Sequence, residues 1–523
     1  MSFWIGRREF LGWAAATVAA GCAEGHDCEP DGDPIFEDVA PARAETRVAS
    51  APFTLGVASG DPLHDRVILW TRLAPEPLEA GGGMIAEDVP VGWQVARDEA
   101  FTDVVSQGVA TARAEDAHAV HIDAVGLDAD SWYYYRFFVG EHESAVGRTR
   151  TFPCADAEPA STRFAFASCQ KYRDGYYTAH RHLAEEDLDF VLFLGDYIYE
   201  SGGDSVREEN FETEEAEDLD GYRHRYAIYK RDQDLQTAHA AFPWIAVWDD
   251  HEVDNDYAGV LAVGDEAPTA EFAARRAAAY RAYWEHMPIR AAAPVADSLR
   301  LYRSFAFGDL FELFVVDSRQ HRDDQVCSDD DFGPVCDERD DPSRTMLGFE
   351  QERWLFDGLA ASTRRWKLIG NQVALATLDF DGTVANFDIW DGYTAARQRL
   401  LDVLRDVNNA VVLTGDLHVA GVADLTAFGN LPGGSRVIAA ELVGTSITSG
   451  GDEPASPIAE LVTSEPHIHY VNASVRGYMR CTLDRAGLRT DLRVVSTVEA
   501  PEADVRTEAS FVVDDGIPGV RLA

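Results

Sequence analysis

Lysine is almost missing from this 523-residue chain, which has only Lys171, Lys230 and Lys367. Positive charge is scarce altogether, with 45 Lys and Arg against 91 Asp and Glu, a formal net charge of −46. A surface of that sign repels nucleic acid and anionic lipid, and neither is expected as a partner. It suits a solvated protein in salty surroundings. The arginine bias follows from a GC-rich genome as readily as from adaptation. No internal repeat is present. The N-terminal apolar run, Phe10 to Ala20, is too short to span a bilayer.

That run follows Arg7 and Arg8, and such flanks are those of an export signal. Twin arginines point to the route that exports proteins already folded, often with cofactor loaded. "AAGC" then sets Cys22 where a lipoprotein signal would be cut and acylated. A plain peptidase site just beyond fits the same small residues, and Ala19 suits a lipobox poorly. Either way the protein is expected to be exported: periplasmic, extracellular or anchored on the outer side. Export makes disulfides available to the seven cysteines. Cys327 and Cys336 flank the acidic stretch "CSDDDFGPVC" and would staple it. Cys28, Cys154 and Cys481 have no evident partner.

Hydrophobic residues, 46% of the chain, supply ample core for more than one domain. Residues 1–22 read as the export signal and 23–50 as an acidic linker. Over 51–155, short period-two or aromatic runs such as "PVGWQVARD" and "SWYYYRFFVG" are broken by turn residues, the pattern of a small β-sandwich. Tyr133 after Leu127 resembles the tyrosine corner of immunoglobulin-like sandwiches. Over 160–523, continuous apolar runs alternate with helical patterns such as "TAEFAARRAAAYRAYWEHM". That alternation predicts a largely parallel, buried sheet. Residues 200–222 read as an exposed acidic insertion. "GYMRCTLDRAGLRTDLRVVS" reads as an antiparallel pair.

Ligands of open α/β sheets sit at the carboxyl ends of strands. "RFAFASC", "DFVLFLGD", "WIAVWDDHE", "LFELFVVDSR", "WKLIGNQ" and "NAVVLTGDLH" all end in polar, reactive residues. They bring Cys169, Asp196, Tyr199, Asp249, Asp250, His251, Arg319, Asn371, Asp416 and His418. So many carboxylates cannot sit together without counter-charge, because repulsion and desolvation would protonate some of them. Cations resolve this. Hard oxygens suit calcium, magnesium or manganese, and a thiolate with a phenolate suits an oxidised transition metal.

The same stretches resemble the calcineurin-like metallophosphoesterases, and most closely the PhoD-type alkaline phosphatases. "PFTLGVASGDP", "VILWTRL", "SCQ", "LGDYIYE", "WDDHEVDND", "VVDSRQHR", "GNQ" and "LTGDLHVA" follow that family's pattern in order from about residue 50 to 500. The resemblance implies an α/β metallophosphoesterase sandwich of four layers, two central sheets flanked by helices, behind an immunoglobulin-like N-terminal domain. It implies a metal-dependent alkaline phosphatase that hydrolyses phosphate monoesters, with calcium and ferric iron, and it permits diesters as substrates as well. Cys169, Asp196, Tyr199, Asp250, Asn371, Asp416 and His418 would hold the metals, with Asp196 between them. Arg319 would contact phosphate and His251 would lie beside the leaving group. Asp249 and Asn255 would support the ligands, or Asn255 with Asp254 would bind a further calcium or turn the chain. Tyr197 would pack away from the site, and His467 and His469 would reach toward it. The competing readings are a phosphodiesterase for teichoic acid or phospholipid head groups, of phospholipase D type, and a surface lipoprotein without turnover.

Overall fold

The computed structural model describes residues 30–523 apart from 31, 45–47, 49, 328–331, 379–382, 429–435 and 454–464. The export signal, with Arg7, Arg8 and the lipidation candidate Cys22, therefore lies outside the described residues, as does Cys28.

Mostly apolar runs become strands largely buried on both faces. Ser161–Ala167, Phe190–Leu194 and Pro243–Val247 lie parallel at the middle of a ten-stranded sheet. Phe311–Val315, Trp366–Asn371, Ala410–Thr414 and Val437–Val443 run parallel in a seven-stranded sheet. The two sheets face each other across an aromatic seam. Phe164 stacks on Phe190 with ring centres 4.9 Å apart, and Phe190 meets Phe311 of the other sheet at 6.0 Å. Each such ring contributes about 1.5–3 kcal/mol by burial alone.

Strand periodicity of two sends alternate residues into different cores. Leu368, Val411 and Leu413 join the seam between the sheets. Ile369 and Val412 face the other way, against Leu355, Leu359 and Leu400 of helices Phe349–Ala361 and Thr394–Leu404. Helices Thr178–Ala184, Leu219–Lys230, Gln233–Ala241 and Ala270–His286 add their apolar faces to the first core. Their N-termini are capped where the sequence offers a short polar residue. Asp232 accepts from Asp234 and Leu235 N–H, and Thr269 from Phe272 N–H. The result is the four-layer sandwich, helix–sheet–sheet–helix.

The N-terminal region is a sandwich, but it does not stand apart. Its five-stranded sheet, including Val89–Ala96 and Trp132–Val139, packs on Val57–Gly60, Val67–Arg72 and Ala119–Ala124. Those last three strands belong to the ten-stranded sheet. Val57–Gly60 pairs in parallel with Pro243–Val247, Ser59 opposite Pro243. The tyrosine corner forms: Asp128 N–H donates to the Tyr133 hydroxyl at 2.8 Å.

Two loop expectations need correction. Part of the segment read as a linker is built into the sandwich. Phe36 bridges to Gln107, and Arg43 of the short helix Ala40–Arg43 lies 3.9 Å from the centre of the Phe138 ring. The acidic insertion is not simply exposed either. Glu212 is buried and pairs with the buried Arg225 at 2.7 Å, because a buried guanidinium needs an anionic partner. At the C-terminal end, Gly477–Asp484 and Gly487–Val495 form the antiparallel pair and extend the ten-stranded sheet beside Ser161–Ala167. Cys327 and Cys336 are bonded. Cys154 is disulfide-bonded too, where the sequence offered it no evident partner.

Candidate metal centre

The parallel strands of both sheets finish at one edge of the sandwich, and their next residues converge there. Cys169 and Asp196 follow strands of the first sheet, and Asp416 follows one of the second. All three adopt left-handed backbone, φ 59°, 56° and 65°, as does His418 at 56°. Side chains other than glycine seldom do so, and the cost is of order 1–3 kcal/mol each. Gly195 shows how tight the turn is. Its φ is 98°, and a Cβ there would stand 2.4 Å from the Asp249 Cβ.

Two groups of donors meet at Asp196. Its carboxylate, the Cys169 thiol and a His418 nitrogen offer ligand atoms within 4.8 Å of one another, and so do Asp196, Asp250 and His251. Asp250 belongs to a further group with Asp249 and Asp416. Tyr199 closes the first group. Its hydroxyl donates to Asp196 Oδ2 at 2.7 Å and lies 3.0 Å from His418 Nε2, while Ser449 Oγ donates to it at 2.8 Å. Asn371 is buried at its strand end, with its amide nitrogen bonded to the Val373 carbonyl and Trp390 Nε1 3.5 Å from its Oδ1.

The electrostatics are those of a site built for cations. Burial pushes the Asp196 carboxyl well above its ordinary range, and Asp250 and Asp249 add to the shift. Burial does the same to Asp416, and it raises Asp249 to about 7. The Cys169 thiol and Tyr199 phenol are raised first by burial and then by Asp196. His418 is lowered to about 3 by burial. Asp196 Oδ1 and Asp249 Oδ2 are buried without a hydrogen-bond partner. Unpaired buried carboxylate oxygens are costly, and a cation satisfies them. The donors fit the expected metals, with thiol, phenol and imidazole on one side of Asp196 and carboxylates on the other.

Arg319 sits inside this group, fully buried. Its guanidinium pairs with Asp249, with Asp388 at 2.6 Å and with Asp416 at 3.5 Å, and Asp250 and Asp256 lie at 3.8 and 4.0 Å. Against the penalty of burial, Arg319 and His251 hold Asp250 below the ordinary carboxylate range. His251 Nδ1 lies 2.7 Å from Glu200 Oε2, and Glu200, Asp250 and Asp196 raise its pKa against the effect of burial.

Some expected members stay away. Asn255 is exposed, and its backbone N–H donates to Glu200 Oε1 at 3.4 Å. Asp254 does turn the chain, its N–H donating to the Asp250 carbonyl at 2.9 Å, and it forms a separate group with Glu200 and Glu215 whose ligand atoms lie within 4.8 Å of one another, with Arg275 3.2 Å from it. His467 lies against the Thr377 carbonyl, and His469 pairs with Asp424 at 2.9 Å, so neither reaches the cluster. Tyr197 packs as expected, its hydroxyl on His239 at 2.8 Å.

Four residues escaped the sequence reading, the first being Glu200 beside His251. Glu252 accepts from the backbone N–H groups of Asp196, Tyr197 and Asp249 at 3.1, 2.6 and 2.8 Å, tying two strand ends together. Its place in "DDHE" was the available signal. Asp388 bridges Arg319 and Arg322 from a loop outside the two large sheets, just after the two-residue strand Val384–Ala385, and Ser449 comes from beyond the last parallel strand.

Two sheets packed face to face, helices outside and metal-type donors at one shared edge are the architecture of the metallophosphoesterases. The purple acid phosphatase of yellow lupin (Lupinus luteus) seeds has this fold, with a TM-score of 0.53 at 11% identity over 89% of this chain and 74% of that one. The chain belongs, more narrowly, to the PhoD-like phosphatases: residues 164–492 match that family and residues 38–153 match its N-terminal domain. It is 45% identical to alkaline phosphatase D of Bacillus subtilis (strain 168) over 494 residues, 91% of this chain and 83% of the relative. A solved PhoD structure superposes with a TM-score of 0.87 at 44% identity, covering 91% of this chain and 92% of that one. The protein is a phosphoric ester hydrolase.

Proposed function

We propose that this hydrolase is an exported alkaline phosphatase, dependent on calcium and ferric iron, that cleaves phosphate monoesters and also diesters. The observation that carries the reading is Asp196, whose carboxylate is shared by two donor groups of different chemistry. Cys169, Tyr199 and His418 would hold iron with it, and Asp250, Asn371 and Asp416 would supply oxygens for calcium. Bound cations supply Lewis acidity toward the phosphoryl group and lower the pKa of water. Arg319, among Asp250, Asp388 and Asp416, would face the charge that grows on the phosphoryl oxygens. Glu200 engages Nδ1 of His251, which leaves Nε2 to give a proton to the departing oxygen. The binding lipoprotein without turnover is disfavoured, since such a protein would be expected to have lost donors.

Elemental analysis of the purified protein tests the metals, with release of phosphate from p-nitrophenyl phosphate as the assay. Iron and calcium are expected together, with activity lost to a calcium chelator and restored by calcium but not by zinc. The protein should be coloured by phenolate or thiolate bound to ferric iron, and Tyr199→Phe should shift or remove the band. A colourless, iron-free protein with full activity would overturn the assignment. Relative rates on monoesters and diesters decide the preference between them.

A further inference from the structure

Beside the metal centre lies a cavity of about 320 Å³ that the phosphoryl chemistry does not use. Asp256, Asp388 and Asp416 line one side of it, so it is continuous with the cluster around Arg319. The rest of its wall is mostly apolar and includes Ala374, Ala376, Leu417, Gly421, Ala423 and Ile468. Its polar wall groups away from that side are already engaged. Glu441 accepts from Leu375 N, Ala376 N and Thr414 Oγ1, and Asn386 Oδ1 accepts from Asp388 N.

The space exists because small residues stand where the fold would admit larger ones. Gly421 and Ala423 lie two apart in strand Ala420–Thr426 and so share a face of the sheet. Gly421 has no left-handed backbone to require glycine, and a Cβ there would meet only ordinary contacts, the nearest 3.5 Å from Val443 Cβ. Packed interiors rarely leave such volume without use, since voids forfeit dispersion contacts.

We infer that this cavity is a subsite for the apolar alcohol portion of the ester, so that the enzyme favours phosphate esters of alkyl or aryl alcohols over those of small polar alcohols. The inference rests on the phosphatase reading and adds the class of substrate. With the phosphate at the cluster, the ester oxygen would lead its carbon chain past Asp416 into the apolar space. Carboxylates at that mouth repel a second anionic group, so the alcohol portion should be uncharged.

The test is a series of straight-chain alkyl phosphates, from methyl to decyl, assayed on the metal-loaded wild type below micellar concentration. Specificity, kcat/KM, should rise by up to about fourfold per methylene, the value of burying one CH₂. The rise should stop once the chain fills the space, which holds on the order of ten water-sized groups. Gly421→Leu, and separately Ala423→Leu, should flatten the series while leaving hydrolysis of methyl phosphate within about twofold, since neither residue touches the donors. A wild-type series flat with chain length, in an enzyme active on methyl phosphate, overturns the subsite and leaves the phosphatase reading standing. Failure to release phosphate from any ester overturns both. The wild-type series alone decides the matter if a variant does not fold.

Discussion

Cys169, Asp196 and Asp416 hold a strained backbone in common, and Glu252 shows what keeps two of the strand ends in place. One carboxylate receives three backbone N–H groups from two loops. A carboxyl group has two oxygens to receive these three donors, whereas a glutamine amide has one oxygen and would set an NH2 donor against backbone N–H groups. Glu252→Gln should therefore lower metal affinity about 10–100-fold, measured by titrating calcium into the stripped protein, as substitutions behind metal ligands do. Unchanged affinity would mean that the loops are held by the sheets alone. Lys230 makes a second case. It is buried over Trp70, 4.1 Å from the ring centre, and burial lowers its pKa from 10.5 to about 7. A base depressed in the folded state contributes its stability above pH 10.5, and that contribution is lost as pH falls toward 7. Lys230→Met should raise the stability at pH 7 by as much as about 4 kcal/mol and have no such effect near pH 11, read from urea midpoints at both pH values.

At the scale of elements, the seam between Val57–Gly60 and Pro243–Val247 decides how the halves depend on each other. Gly60 there has the Pro288 carbonyl oxygen 2.2 Å from where a Cβ would stand, so the approach requires glycine. Removing residues 51–155 would bare the edge of Pro243–Val247, a buried apolar strand with unpaired N–H and C=O groups. Exposed edges of that kind template aggregation. The catalytic portion expressed alone should be insoluble, whereas an independent domain would remain in solution with its activity. Fractionating the lysate separates these outcomes.

For the whole molecule, the net charge of −46 acts on the substrate before any contact is made. Phosphate esters and the protein surface repel each other over a Debye length of about 10 Å at 0.1 M salt. Raising ionic strength from about 10 to 150 mM should increase kcat/KM for an anionic ester while kcat stays level, because screening aids the encounter and not the chemistry. A fall in kcat/KM over that range would show that local positive charge at the site already governs approach. Among the described residues no helix is long and apolar enough to cross a membrane.

The sequence by itself determined the parallel strands, their order along the chain and the reactive residues at their ends. These follow from local periodicity and from the rule that ligands gather at carboxyl ends of strands. Tyr197 and Tyr199 could be told apart because each is set by its place on one loop. Only the tertiary structure decided that three strands of the small sandwich complete the large sheet, since pairing across more than 180 residues leaves no local trace. It also decided that Asp388 belongs to the site, and that His467 and His469 do not. A loop carboxylate far along the chain has no spacing signal, and a histidine at or just before a short strand looks the same whether it faces a metal or a carbonyl. The cavity behind Asp416 belongs to the same class. It is space between side chains from separate strands and loops, and space has no residue of its own in a sequence.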